Sequence, residues 1–125
     1  GPRLLRDGAV EIPTAQERIK PDIANGRAAR TAMGLTKDGV VIFVAVEAPC
    51  AYGGGATLAD LAAILRARGA VDAMNLDGGG STQMAIADTT VNYPPATWVR
   101  PVADGVLVYD ARMGQVVANS INNCR

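Results

Sequence analysis

Apolar and polar positions along the chain fall into short blocks, and the blocks predict several strands with one helix among them. Residues 3 to 12, RLLRDGAVEI, read as a strand pair folded about Asp7-Gly8. Residues 13 to 29 are polar, carry Pro13 and Pro21, and read as a loop. TAMGLT, residues 31 to 36, runs through Lys37-Asp38-Gly39 into VVIFVAVEA, the strongest hairpin signal in the chain. Its second strand is apolar almost throughout, which predicts cover on both faces. A glycine-rich loop, PCAYGGGA, then leads to TLADLAAILRARG, where Leu58, Leu61, Ala62 and Leu65 recur at helical spacing. Thr57 is placed to cap this helix, with Asp60 completing a weak capping box and Gly69 a stop. AVDAMNL (70 to 76), TQMAIA, TTVNY, ADGVLVYD (103 to 110) and GQVVAN read as further strands. The fold class expected is α+β: a mixed β-sheet with one main helix packed on it.

Composition narrows the function. The chain has 125 residues, enough for one domain or part of one, and 49% are hydrophobic. Net charge is zero with both signs mixed, so no nucleic-acid footprint is expected. The longest strongly apolar run, VVIFVAV, is too short to span a bilayer, and no signal peptide is visible. Cys50 and Cys124 can form one bridge pinning the C-terminal tail or stand as two unrelated thiols. There is no histidine. A Ser-His-Asp triad, a Cys-His dyad and a His-ligated metal are therefore excluded within this chain. Catalysis here needs carboxylates, Arg, Lys, Tyr, hydroxyls or backbone amides. No loop shows a recognisable Ca²⁺ or Mg²⁺ ligand spacing, so no metal or other cofactor is expected.

The stretch AMNLDGGGSTQM, residues 73 to 84, stands apart. Glycine loses the most backbone freedom on folding, so three in succession imply a special backbone shape or a close approach that side chains would block. Successive glycine amides can form an anion-binding nest, with Asp77 before the turn and Ser81 and Thr82 after it. The absence of Lys before Ser81 excludes a Walker loop, and a following strand excludes a dinucleotide fingerprint. On these residues alone a structural turn competes with a phosphate cradle.

Set in context, RTAMGLTKDGVVIFVAVEA, the TLADLAAILRARG helix and NLDGGGS together resemble the phosphodiester glycosidase family. GPRLLRDG resembles a mid-domain segment of that family and RPVADGVLVY its closing strand, so the resemblance spans nearly all of residues 1 to 125. It implies that this chain is the C-terminal portion of a domain roughly twice as long. Either the N-terminal half is then a partner, present as a separate chain after cleavage, or this chain is a natural or engineered fragment. One departure touches the site: Glu47-Ala48-Pro49 stands where many relatives carry Asp-Gly-Arg.

The resemblance implies hydrolysis of a sugar-1-phosphodiester at the anomeric carbon, on glycan or cell-envelope substrates, by a secreted or envelope protein. Such chemistry asks for carboxylates at an oxocarbenium-like centre and for cations and N–H groups on the departing phosphate. It assigns catalysis to Asp77, Glu47 and Arg30, and substrate contacts to Asn75, Gly78, Gly79, Gly80, Ser81 and Thr31. Read alone, Arg30 is a surface residue, Glu47 a solvated strand end, Asp77 a cap on its own turn, and Asn75 and Thr31 structural. Arg100 is either a second phosphate contact or half of a surface ion pair. Tyr52 and Gly53 to Gly55 form either a lid or an ordinary loop. The alternative function is a non-catalytic glycan-binding or structural module of the same fold in an envelope or phage assembly.

Overall fold

A computed structural model describes residues 1–48, 54–87, 89–92 and 100–108. Strands β1 (Arg3–Arg6), β2 (Ala9–Val10), β3 (Arg30–Thr36), β4 (Val41–Val46) and β5 (Ala70–Asn75) form one sheet in the order β2-β1-β5-β3-β4. Every pairing in it is antiparallel. Helix α2 (Leu58–Ala67) packs on one face, and the short α1 (Pro21–Asn25) lies against α2. A separate two-stranded ribbon joins β6 (Ala85–Ile86) and β7 (Thr89–Thr90). The domain is α+β with one main helix, as the pattern of the chain predicts.

The hairpins form where the turn residues demand. Asp7 and Gly8 take positive φ between β1 and β2, and Gly39 does so between β3 and β4. Asp38 accepts from the Thr36 hydroxyl, which holds its carboxyl below the usual carboxylate range. The apolar stripe of α2 is fully used: Leu58, Leu61, Ala62 and Leu65 join Leu4, Leu5, Ala32, Ala70 and Ala73 in the core. Gly34 makes this packing feasible. A Cβ there would stand 2.9 Å from Ala70 Cβ and 3.1 Å from Leu65 Cδ2.

The start of α2 is fixed by a reciprocal cap. Asp60 N–H donates to Thr57 Oγ1, and Thr57 N–H donates back to Asp60 Oδ2, each at 3.1 Å. That backbone donor, reinforced by Arg27 at 2.8 Å, lowers the Asp60 pKa. Thr57→Ala should lower stability by about 1 kcal/mol, read as a lower midpoint in urea unfolding.

Three expectations change. Within the stretch expected to be loop, α1 begins at Pro21, where proline's missing N–H is harmless. Residues 103 to 108, read as a strand, pair with nothing described, and Val106, Leu107 and Val108 are exposed. Among the described residues strand β4 has a packed layer on one face only. Ile42, Val44 and Val46 pack toward the core, while alternation turns Phe43 and Ala45 to the other side. There Phe43, Met33 and Met74 stand in register across three strands. A cleft of about 410 Å³ lies over Met33, Leu35 and Met74. Cys50, Cys124, Tyr52 and the GQVVAN segment lie outside the described residues.

Candidate active site

Three strand ends converge at one end of the sheet. Arg30 opens β3 opposite Val46, the last residue of β4, so Glu47 follows directly beside it. On the other side Ala32 pairs with Asn75, the last residue of β5, and Leu76 N–H donates to Thr31 O at 2.7 Å. Glu47 and Asp77 thus leave the sheet on opposite sides of β3, with backbones about 10 Å apart at two strand spacings. The structure brings Arg30, Thr31, Glu47, Asn75, Asp77 and the glycine turn to a single sheet end.

The three glycines do three different things. Gly78 passes so close to β3 that a Cβ would stand 2.8 Å from Ala29 O. Gly79 takes φ +59°, a left-handed conformation, and its N–H donates to that same Ala29 O at 2.8 Å. Gly80 meets neither constraint; its nearest neighbour is Arg100. A single 3-10 turn, Gly79–Ser81, follows, closed by Ser81 N–H to Gly78 O and Thr82 N–H to Gly79 O.

Around the turn, Asp77 is exposed, and its Oδ1 accepts from Gly78 N–H at 2.9 Å. Asn75 is buried at 6% exposure. Its Nδ2 donates to Leu76 O, while its Oδ1 has no partner among the described residues. The Thr31 and Thr82 hydroxyls are likewise buried without a partner. Orphaned buried acceptors carry a desolvation cost that a ligand or water relieves.

Arg30 is buried at 5% exposure. Its Nε donates to Ala56 O at 2.9 Å, and its Nη2 to Ile23 O at 2.7 Å and Gly26 O at 2.8 Å. Burial pulls its pKa below the ordinary guanidinium value. Among the described residues no three acidic or thiol side chains cluster as a cation site requires.

A model of the phosphodiester glycosidase family matches residues 1–109. The chain belongs to the phosphodiester glycosidase family. It is 36% identical over 100 residues to mouse N-acetylglucosamine-1-phosphodiester alpha-N-acetylglucosaminidase, a match covering 73% of this chain and 19% of that protein. It is 27% identical over 120 residues to the SPbeta prophage-derived uncharacterized protein YomE of Bacillus subtilis, covering 87% of this chain and 18% of that one. The zebrafish enzyme's catalytic domain, auto-inhibited by its pro-peptide, superposes with a TM-score of 0.65 at 27% identity, over 80% of this chain and 37% of that one. This chain therefore spans about a fifth of the length of these curated relatives.

At two of the expected contact points the structure already engages part of the donor set. Gly78 and Gly79 amides were expected to hold ligand oxygens beside Gly80, but their donors are already engaged, on Asp77 Oδ1 and Ala29 O. Gly80 N–H donates to no described residue. The Arg30 fork, expected on phosphate, has three of its five donors on backbone carbonyls, which leaves the Nη1 pair. Gly55, in the segment expected to be either a lid or an ordinary loop, is at φ +88° with its backbone pressed on Ala28.

Sequence reasoning also missed Asn92. Its Nδ2 donates to Thr82 O at 3.1 Å and its Oδ1 accepts from Met84 N–H, so it clamps the strand leaving the glycine turn. No local motif marks an asparagine ten residues away for this task. Gly78→Ala should cost about 1–3 kcal/mol, because the Cβ forces the turn off Ala29. Gly80→Ala should stay within about 0.5 kcal/mol of the wild type. Urea unfolding of the pair reads the difference.

Proposed function

We propose that this chain carries the glycine-turn side of an active site that hydrolyses a sugar-1-phosphodiester at the anomeric carbon. The observation that supports it is the convergence of Asp77, Glu47 and the glycine turn at one sheet end, in a chain matching the family over residues 1–109. Water adds across the anomeric C–O bond. A carboxylate takes the water proton, or first attacks the carbon itself, and the bond's electron pair leaves on the phosphate oxygen. Asp77 and Glu47 are the carboxylate pair in this reading. Arg30 holds the site's floor and presents Nη1, while Asn75 Oδ1, Thr31, Ser81 and the Gly80 amide contact the substrate. Gly78 and Gly79 shape the turn.

The partner in this proposal is the N-terminal half of the same domain. The outer edge of β4 has no strand beside it among the described residues. It is apolar along its whole length, without the charges or prolines that guard exposed edges. The Phe43, Met33 and Met74 row lies on the face away from α2, where a second β-layer would bury it. Substrates would be glycans or cell-envelope polymers, and the protein secreted or envelope-bound and proteolytically processed; the pro-peptide of the zebrafish relative supports processing. Among the described residues no helix is long and apolar enough to cross a membrane.

A second reading, a glycan-binding or structural module in an envelope or phage assembly, draws on the prophage origin of YomE. Release of N-acetylglucosamine from UDP-N-acetylglucosamine by the native preparation, with any co-purifying chain, tests the first reading. No release from this or other sugar-1-phosphodiesters, with glycan binding retained, would move the assignment to the second.

A further inference from the structure

The geometry points to Arg100 and the Gly80 amide as a two-point phosphate site, which rests on and deepens the hydrolase reading above. Gly80 alone of the three glycines has a backbone N–H with no described acceptor. Arg100 runs beside it: Cδ and Nη1 lie 3.7 and 3.9 Å from where a Cβ on Gly80 would stand. A side chain at position 80 would fill the space between the turn and the guanidinium.

The arrangement is built rather than accidental. Gln83 Nε2 donates to Arg100 O at 2.7 Å, tying the arginine backbone to the turn. Asn92, only 9% exposed, grips Thr82 and Met84 on either side of Gln83. Val91 N–H adds a bond to Met84 O at 2.8 Å. Meanwhile Arg3, Arg6 and Arg27 sit in ion pairs and Arg30 is directed at carbonyls. Among the described residues the Arg100 guanidinium has no acceptor and no carboxylate partner. With the Nη1 pair of Arg30, it is a cation available to an anion at this sheet end.

The ligand class follows from the donors. A planar fork matches two oxygens of one phosphate group, and the Gly80 N–H supplies a third contact. When the anomeric bond breaks, a phosphodiester monoanion becomes a phosphomonoester that can carry a second negative charge. The contact therefore strengthens as the leaving group departs, and Arg100 acts on turnover as well as on binding.

The test is titration of inorganic phosphate, and separately of dimethyl phosphate, into the full chain, read by the NMR shift of the Gly80 amide. Wild type should show a saturable Gly80 shift, tighter for inorganic phosphate and weakened by salt. Arg100→Gln should weaken phosphate by about tenfold, with Arg100→Lys between the two. Arg100 is exposed, so amide shifts remote from the turn should not change. A Gly80 amide indifferent to phosphate, or wild-type affinity in Arg100→Gln, overturns the site. Phosphate binding without sugar release in the turnover assay keeps the site and removes the hydrolase reading.

Discussion

Asp77→Asn should reduce sugar release from a glycosyl phosphodiester by about 10²–10⁴-fold while leaving the fold intact. The substitution is clean because of how Asp77 sits. It is exposed, and one oxygen already accepts the Gly78 N–H at 2.9 Å. Asparagine keeps an acceptor oxygen in that place, so the turn retains its internal bond and stability should shift by less than about 1 kcal/mol. What is lost is the second carboxyl oxygen, the one able to take a proton or attack a carbon. Initial rates on UDP-N-acetylglucosamine, with urea unfolding of the same samples, separate the two effects. Undiminished release would make Asp77 only the acceptor that closes its own turn. Glu47→Gln in the same assay would then show whether the carboxylate on the other side of β3 carries the chemistry. A binding module would keep its glycan affinity through both substitutions.

The local elements of this fold are legible in the chain because their causes are local. Gly39 supplies the left-handed residue the β3–β4 turn needs, and Thr57 with Asp60 supplies the cap of α2. The order of the sheet is not legible, since several strands offer similar apolar faces and only tertiary packing places β5 between β1 and β3. Residues 103 to 108 show the same limit from the other side. They have strand chemistry, but a strand is stabilised by its neighbours, and none is described beside them. At the site, the glycine run announces a special backbone without saying which residue needs it. The structure divides the labour into a close approach at Gly78, a positive φ at Gly79 and an available amide at Gly80. Asn92 is invisible for the reason the sheet order is: its partners, Thr82 and Met84, reach it only through the fold.

Arg30→Met should destabilise the chain by about 3–5 kcal/mol, the largest stability effect expected of any residue at this sheet end. The guanidinium ties three separate pieces of chain to the start of β3: Ile23 in α1, Gly26 just after it, and Ala56 immediately before α2. Methionine fills similar volume and removes every donor, so three buried or part-buried carbonyls lose their charged partner. Arg30→Lys should fall between, because an ammonium cannot span the positions of Nε and Nη2 at once. Urea unfolding midpoints of the three proteins give the ordering. An unfolding free energy for Arg30→Met within about 1 kcal/mol of wild type would mean that water replaces those bonds and that the fork is available to substrate. Activity per folded molecule answers the complementary question. If Arg30 acts through the scaffold alone, Arg30→Lys should lose stability and keep most of its kcat, while Arg100→Gln does the reverse. If Nη1 also touches phosphate, Arg30→Lys should lose kcat/KM as well, and both arginines would then contact the leaving group.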